Sequence, residues 1–483
     1  MVGCLQPSAH DGVVGPDAGP PLTDTIKPGV PLKIPGMDAT SGRGEDAAPS
    51  AQSSDAGATG YPMSATERRL LGAMTAALPL PLPADKTNKF ADDPRAAALG
   101  KKLFNETAFS GPLLDADHDG GPSSLGLPGD TGKVACASCH IAESGFSDTR
   151  SFQLQVSLGA GWGRRRAPSL LDVGHSSVLM WDGRRDTLYN QVFGPFESVV
   201  EMNSSRLYVA EQVYRLYKSD YETLFGPLPA LNDAKQFPAL TAELTGCQPK
   251  SPRDPQPTCD GTFHGGPGDR AEYDGLTAAN QEAVTRVVVN VGKAIGAFER
   301  QLSCGSAPFD AWLGGNESAV SDGAKRGALL FVGKGGCSSC HTGPRFTDEK
   351  FHNVGVKPEL VQQAFVDEGD RGAGAGLAEA LADPLNSRGR FSDGDDGRLP
   401  KAVGPAMEGA FRTPSLRCVS KRPAFLHTGQ IRSLVSAVEF FNGGGAQSGY
   451  PGVDEIAPLG LTDAEVDDLT AFLESLDGAV IQP

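Results

Sequence analysis

Two short runs in this chain, Cys136-Ala-Ser-Cys139-His140 and Cys337-Ser-Ser-Cys340-His341, each set two thiols one turn apart with an imidazole directly after the second. That spacing lets both thiols of a run reach the two vinyl groups of one porphyrin, and the adjacent histidine then supplies the proximal iron ligand. Two covalently attached c-type haems are therefore expected, on Cys136, Cys139 and His140 and on Cys337, Cys340 and His341. A four-cysteine zinc site from two distant C-x-x-C knuckles would not need a histidine after each pair. A redox-active C-x-x-C belongs in a thioredoxin-like strand and helix context, which neither run has.

Haem attachment to cysteine requires an oxidising compartment, so a periplasmic location is expected. The N-terminus lacks the basic and apolar regions of a signal peptide. Val2-Gly3-Cys4 reads either as the end of a lipoprotein processing box, with Cys4 lipidated and the true start upstream of Met1, or as an ordinary cysteine near a disordered terminus. Four cysteines remain, and an even number in an exported protein suggests disulfides: Cys247 with Cys259, closing a short loop, and Cys304 with Cys418 by elimination. With 43 Lys and Arg against 59 Asp and Glu, the formal charge of -16 disfavours nucleic acid and anionic membranes and suits a partner bearing basic patches. No apolar run is long enough for a transmembrane helix.

The elements that must position the two runs are mainly helical. Residues 1–62 are rich in Gly, Pro, Ala, Asp and Ser without hydrophobic periodicity and read as a disordered tether. A helical pattern starts after Ser64, and further helices are expected at Arg206 to Leu224, Asn280 to Gln301, Asp322 to Phe331, Ser433 to Phe441 and Thr462 to Leu476. The last opens on Thr462 as N-cap with Glu465 three residues on. A weak internal repeat (helix, glycine-containing loop, C-x-x-C-H, then Phe-Ser-Asp148 or Phe-Thr-Asp348) implies a mainly α fold of two cytochrome-c-like haem domains with long loops. The expected division is 63–302 and 303–483, with a Pro-, Asp- and Gly-rich surface-loop insertion at 228–274.

Beyond these motifs the chain resembles the bacterial di-haem cytochrome c peroxidases and the related MauG-type enzymes from about Thr66 to Leu476. The resemblance is carried by Trp181-Asp-Gly-Arg184, Gln191, Gly194-Pro195 and Glu201-Met202, then by AFERQL, GCSSCHTGPRFTD, FHNVGV, FRTPSLR and FLHTG in the second half. It implies that the first haem meets peroxide and the second passes in electrons. By the same resemblance Trp181 lies between the haems, Gln191 is the polar residue over the peroxidatic iron, and Glu201 is its acid and base. Heterolysis of peroxide needs a group that takes a proton from one oxygen and returns it to the leaving oxygen, a role a carboxyl can fill.

Three departures matter. Family members that need reductive activation carry a histidine capping the resting first iron; here the string is Ser157-Leu-Gly-Ala160-Gly-Trp162, and Ala160 cannot ligate, leaving an open first haem unless His175 or a rearranged loop intervenes. The position fourteen residues after His427, where the family has Met or Tyr on the second iron, is Phe441, so that haem is expected to be five-coordinate or bound by another group such as Met407. Arg166 stands where the family has an Asn ligand to calcium, and a guanidinium there replaces the ion's charge, so calcium is in doubt. Asp115-Ala-Asp117-His118-Asp119-Gly120 begins like an EF-hand loop, but Gly126 occupies the closing Glu position, which favours a polar surface loop.

The leading expectation is a peroxidase reducing hydrogen peroxide to water with electrons from a small cytochrome c or cupredoxin, in a monomer or homodimer. A MauG-like oxidase modifying a partner protein and a di-haem carrier or sensor are the alternatives.

Overall fold

The computed structural model describes residues 61–75, 78–152, 155–243, 245–247, 249–251, 254–257, 272–356, 371–445, 452 and 454–483. The expected tether up to residue 60, Cys4 and Cys259 lie outside these residues. Tyr61, assigned to the tether, packs against the second core described below.

Helices form where an oxygen-bearing side chain can accept one of the free first-turn N–H groups. Ser64, Asp93, Ser205, Thr277, Ser321, Ser433 and Thr462 all do so, each interaction contributing about 1 kcal/mol. Ser64 with Glu67 and Thr462 with Glu465 form complete capping boxes. The expected helix over 206–224 is two, Arg206–Leu216 and Lys218–Phe225. The break falls at Tyr217, whose hydroxyl is held by Glu106 at 2.5 Å and whose ring packs on Phe109. Helices at Pro94–Phe104, Pro308–Leu313 and Ala373–Ala382 were not anticipated.

The Ala278–Glu299 helix is the spine of the first core. Val284, Val287, Val288, Val291, Ala294, Ile295 and Phe298 recur at helical spacing and are buried. Gly100 and Gly292 let neighbours approach it: a Cβ on Gly100 would lie 1.9 Å from the Ala294 carbonyl oxygen, and one on Gly292 2.3 Å from that of Tyr189. The Pro94–Phe104 and Leu188–Gln191 helices therefore lie directly on the spine.

A second core gathers Phe309, Trp312, Phe331, Phe346 and Phe472 around the Asp322–Val332 and Asp463–Glu474 helices. The expected boundary at 302/303 does not separate the cores. Leu71 and Met74 belong to the second, while Leu385 and Phe391 belong to the first. Nor is 228–274 a surface loop throughout: Leu228, Leu231 and Phe237 join the first core, and Cys247 is pinned through its backbone by both amide atoms of Asn203. Cys247 is disulfide-bonded, and Cys304 pairs with Cys418, as expected, across 5.9 Å between Cα atoms.

Strands are short. Ser151–Phe152, Gln155–Leu158 and Trp162–Gly163 form one antiparallel sheet; Phe351–His352 pairs with Phe411–Arg412, and Ser303–Cys304 with Val480–Ile481.

Candidate functional site

His140 and His341 are oriented by the same device. After each C-x-x-C-H turn the chain bends through a left-handed phenylalanine, Phe146 (φ 55°) or Phe346 (φ 53°), whose carbonyl oxygen meets the histidine Nδ1 at 3.0 and 2.9 Å. A carbonyl only accepts, so Nδ1 carries the proton and Nε2 presents its lone pair. Burial, first among the causes, lowers both imidazole pKa values and keeps them neutral, the form that ligates iron. Cys136, Cys139, Cys337 and Cys340 are unpaired thiols. Cys136 packs on the first core and Cys337 on the second, so the four do not converge as a zinc site requires. Each run thus has two free thiols beside a correctly tautomerised imidazole, which fits a covalently held haem.

Beside the first run, Glu201 is partly exposed. Burial raises its carboxyl pKa, while the Arg184 guanidinium and the Ser198 hydroxyl pull it down. Its charge reaches both Cys136 and Cys139. Ala160 is locked against it: the Ala160 N–H donates to the Glu201 carbonyl at 2.7 Å, the Gly161 N–H to that of Val200 at 3.0 Å, and the Ala160 carbonyl accepts from Leu114 at 2.7 Å. The loop that resembles an EF-hand start holds this hairpin from behind. Asp117 accepts from the Trp162 indole at 2.7 Å, and the buried His118 bonds the Gly159 carbonyl through Nε2 at 2.9 Å. Gln191, held on its short helix by the Thr187 cap, bonds the Met180 sulfur at 3.7 Å; no bond joins it to Glu201.

Trp181 is buried, its indole N–H donating to the Arg166 carbonyl at 2.7 Å and its own carbonyl accepting from the Arg412 N–H at 2.8 Å. Against the effect of burial, Arg184 and Arg165 hold neighbouring Asp182 at about 2. The Trp181 ring lies 6.5 Å from that of His427, which stacks on Phe411 at 3.5 Å. The buried His427 Nε2 has no hydrogen-bond partner among the described residues.

His427 is the counterpart of Trp181 in the internal repeat, a role sequence reading missed. Leu179 bridges Arg185 as Phe425 bridges Ile431, Met180 (φ 68°) matches Leu426 (φ 62°), and Gly183 matches Gly429. The same repeat aligns Arg166-Ala-Pro-Ser169 with Arg412-Thr-Pro-Ser415, a signal visible in the sequence. Glu299 was also missed: buried at the end of the spine helix with no ion-pair partner among the described residues, its carboxyl is pushed up to about 8 by burial.

One of the two expected alternatives for iron ligation does not fit. Met407 packs with Val178, Leu377 and Ala410, away from the core that holds Cys337, because the Pro405–Met407 turn leans on the Ala373–Ala382 helix. His175 sits among Arg345, Arg300 and Glu349, and burial followed by those guanidiniums lowers it to about 4. Phe441 lies on the Leu434–Asn442 helix and packs against the second core.

A family model described as di-haem cytochrome c peroxidase matches residues 94–254. The methylamine utilization protein MauG of Methylorubrum extorquens is 29% identical over 388 residues, covering 79% of this chain and 78% of that protein. The cytochrome-c peroxidase IdrP1 of Denitromonas iodatirespirans is 27% identical, covering 82% and 84%. In fold, the chain is similar to the diheme peroxidase BthA of Burkholderia thailandensis, with a TM-score of 0.52 at 22% identity over 85% of this chain and 99% of that one.

Proposed function

We propose that the chain is a di-haem cytochrome c peroxidase or MauG-type protein that reduces hydrogen peroxide to water, at a first haem site open without prior reduction, using electrons from a small redox protein. The observation that carries this reading is Ala160 locked onto the Glu201 backbone. A methyl group cannot ligate, and a hairpin bonded on both edges has no slack with which to bring in another ligand.

Cys136, Cys139 and His140 would hold one haem and Cys337, Cys340 and His341 the other, and these groups would supply the redox chemistry. The chain's own part is proton handling and order. Glu201 accepts a proton from one peroxide oxygen and returns it to the leaving oxygen, and its raised pKa suits both halves of the task. Gln191 orients peroxide by hydrogen bonding. Trp181, fixed at its indole N–H and its backbone carbonyl, bridges the two halves as a rigid aromatic path. The Cys304–Cys418 disulfide supports a periplasmic location, and the charge of -16 supports a donor with a basic docking face.

A second reading, oxidation of a side chain on a partner protein, is favoured by Phe441 at the second site and by the relative named MauG. Steady-state peroxide consumption with a reduced cytochrome c or cupredoxin separates the two. Donor-dependent turnover supports the peroxidase. Glu201→Gln should slow the peroxide reaction by about 100-fold or more with both haems still attached; an unchanged rate removes Glu201 from the mechanism.

A further inference from the structure

A cavity is lined by Trp181 together with Arg166, Arg345, Arg412 and Arg422. Arg166 and Arg412 are repeat-related, so the two halves contribute equivalent guanidiniums to one space. Among the described residues Glu349 is the carboxylate ion-paired with them, meeting Arg345 at 2.7 Å and Arg412 at 3.1 Å. Arg166 and Arg422, 3% and 7% exposed, have no ion-pair partner among the described residues. Arg166 bonds the Ser147 hydroxyl and reaches the Leu426 carbonyl, while Arg422 bonds the Arg417 carbonyl at 3.0 Å. Asp148 attracts Arg166, and Asp477 and the buried Asp172 attract Arg422, only from a distance, since their own bonds go to Arg150, to Ser420 and to the Cys304 backbone. The Nε atoms of Arg345, Arg412 and Arg422 have no hydrogen-bond partner among the described residues.

Buried charge without a counter-charge costs several kcal/mol per ion, so a fold that retains two such guanidiniums, with orphaned donors beside them, is built around an anion that the polypeptide does not supply. The anion's position is constrained from both sides. The Arg166 charge acts on His140 and the Arg422 charge on His341, so the cavity is within electrostatic reach of both proximal histidines. A haem brings two carboxylates on the edge opposite its vinyl groups, and the cysteines of each run fix the vinyl edge. Planar guanidinium forks match carboxylates.

We propose that this cavity is the receptor for the carboxylates of both haems, with Arg166 and Arg422 supplying the positive charge that a divalent cation would otherwise provide. The inference rests on the di-haem reading. A wild-type protein matured with two haems therefore binds no calcium at this position, and its haem carboxylates are neutralised by arginine.

The test uses the mature protein, with haem first counted by the pyridine haemochrome method so that failure of the di-haem reading is seen separately. Isothermal titration with calcium after chelator treatment should show no binding, and excess inorganic phosphate should leave the resonance Raman carboxylate-bending bands of both haems unmoved. Arg166→Met should shift those bands on the first haem and Arg422→Met on the second, with Arg166→Lys and Arg422→Lys restoring them toward wild type. Stoichiometric calcium in the wild type overturns the proposal, as does a phosphate-induced shift, which would mark a free anion as the occupant. Bands unmoved in both Met variants also overturn it. If the Met variants fail to mature, the two wild-type titrations still decide.

Discussion

Glu299 offers a test whose size follows from its surroundings. The side chain is 4% exposed and has no charged partner among the described residues, and burial alone raises its carboxyl from 4.5 to about 8. A group whose folded pKa is raised contributes stability that is complete below its unfolded pKa and is lost as pH climbs to the folded value. Between pH 4.5 and about 8 the unfolded chain has released the proton that the folded chain keeps. At roughly 1.4 kcal/mol per pH unit the loss over that window is on the order of 5 kcal/mol. Glu299→Gln keeps the shape and removes the titration. Groups common to both proteins cancel when their thermal midpoints are compared across pH. The two should coincide at about pH 5, with the variant higher by on the order of 5–10 °C at about pH 9, for a cooperative unit of roughly 200 to 400 residues. Parallel curves over the whole range would show that Glu299 is ionised in the folded protein, and would refute the reasoning.

Trp181→Phe removes the donor to the Arg166 carbonyl and should cost about 1–3 kcal/mol of stability while slowing electron passage between haems in stopped-flow reduction, with haem content unchanged. Replacing Cys304 and Cys418 together by serine frees a loop spanning 114 residues and should lower stability by about 2–5 kcal/mol in denaturant titration. Gly292→Ala sets a Cβ 2.3 Å from the Tyr189 carbonyl oxygen and should cost about 1–3 kcal/mol in the same assay, because the helix bearing Gln191 must move off the spine.

What was legible in the sequence is what local chemistry dictates. The cap residues Ser64, Ser433 and Thr462 announced their helices, and the two C-x-x-C-H runs announced the two sites, because each signal lies within a few residues. The start of Pro94–Phe104 was equally announced, by Asp93 before a proline, but its short apolar face matters only against Ala294 of a helix distant in sequence. The division of Arg206–Phe225 depends on Tyr217 finding Glu106, which periodicity cannot reveal. Nothing beside Glu299 or Arg422 in the sequence marks either as buried, since burial is a tertiary property. The packing of Leu71 in the second core was hidden for the same reason. Arg166-Ala-Pro-Ser169 and Arg412-Thr-Pro-Ser415, by contrast, could have disclosed the shared arginine cavity from the sequence alone.

The central claim is a first haem site open to peroxide beside Glu201. It is tested most directly by the electron paramagnetic resonance spectrum of the fully ferric, mature protein before and seconds after one equivalent of hydrogen peroxide. The account predicts a high-spin ferric signal at rest that disappears on addition and persists in Glu201→Gln. Two low-spin signals that peroxide leaves unchanged would contradict it, showing a ligand where Ala160 leaves space and making electron transfer alone the better description.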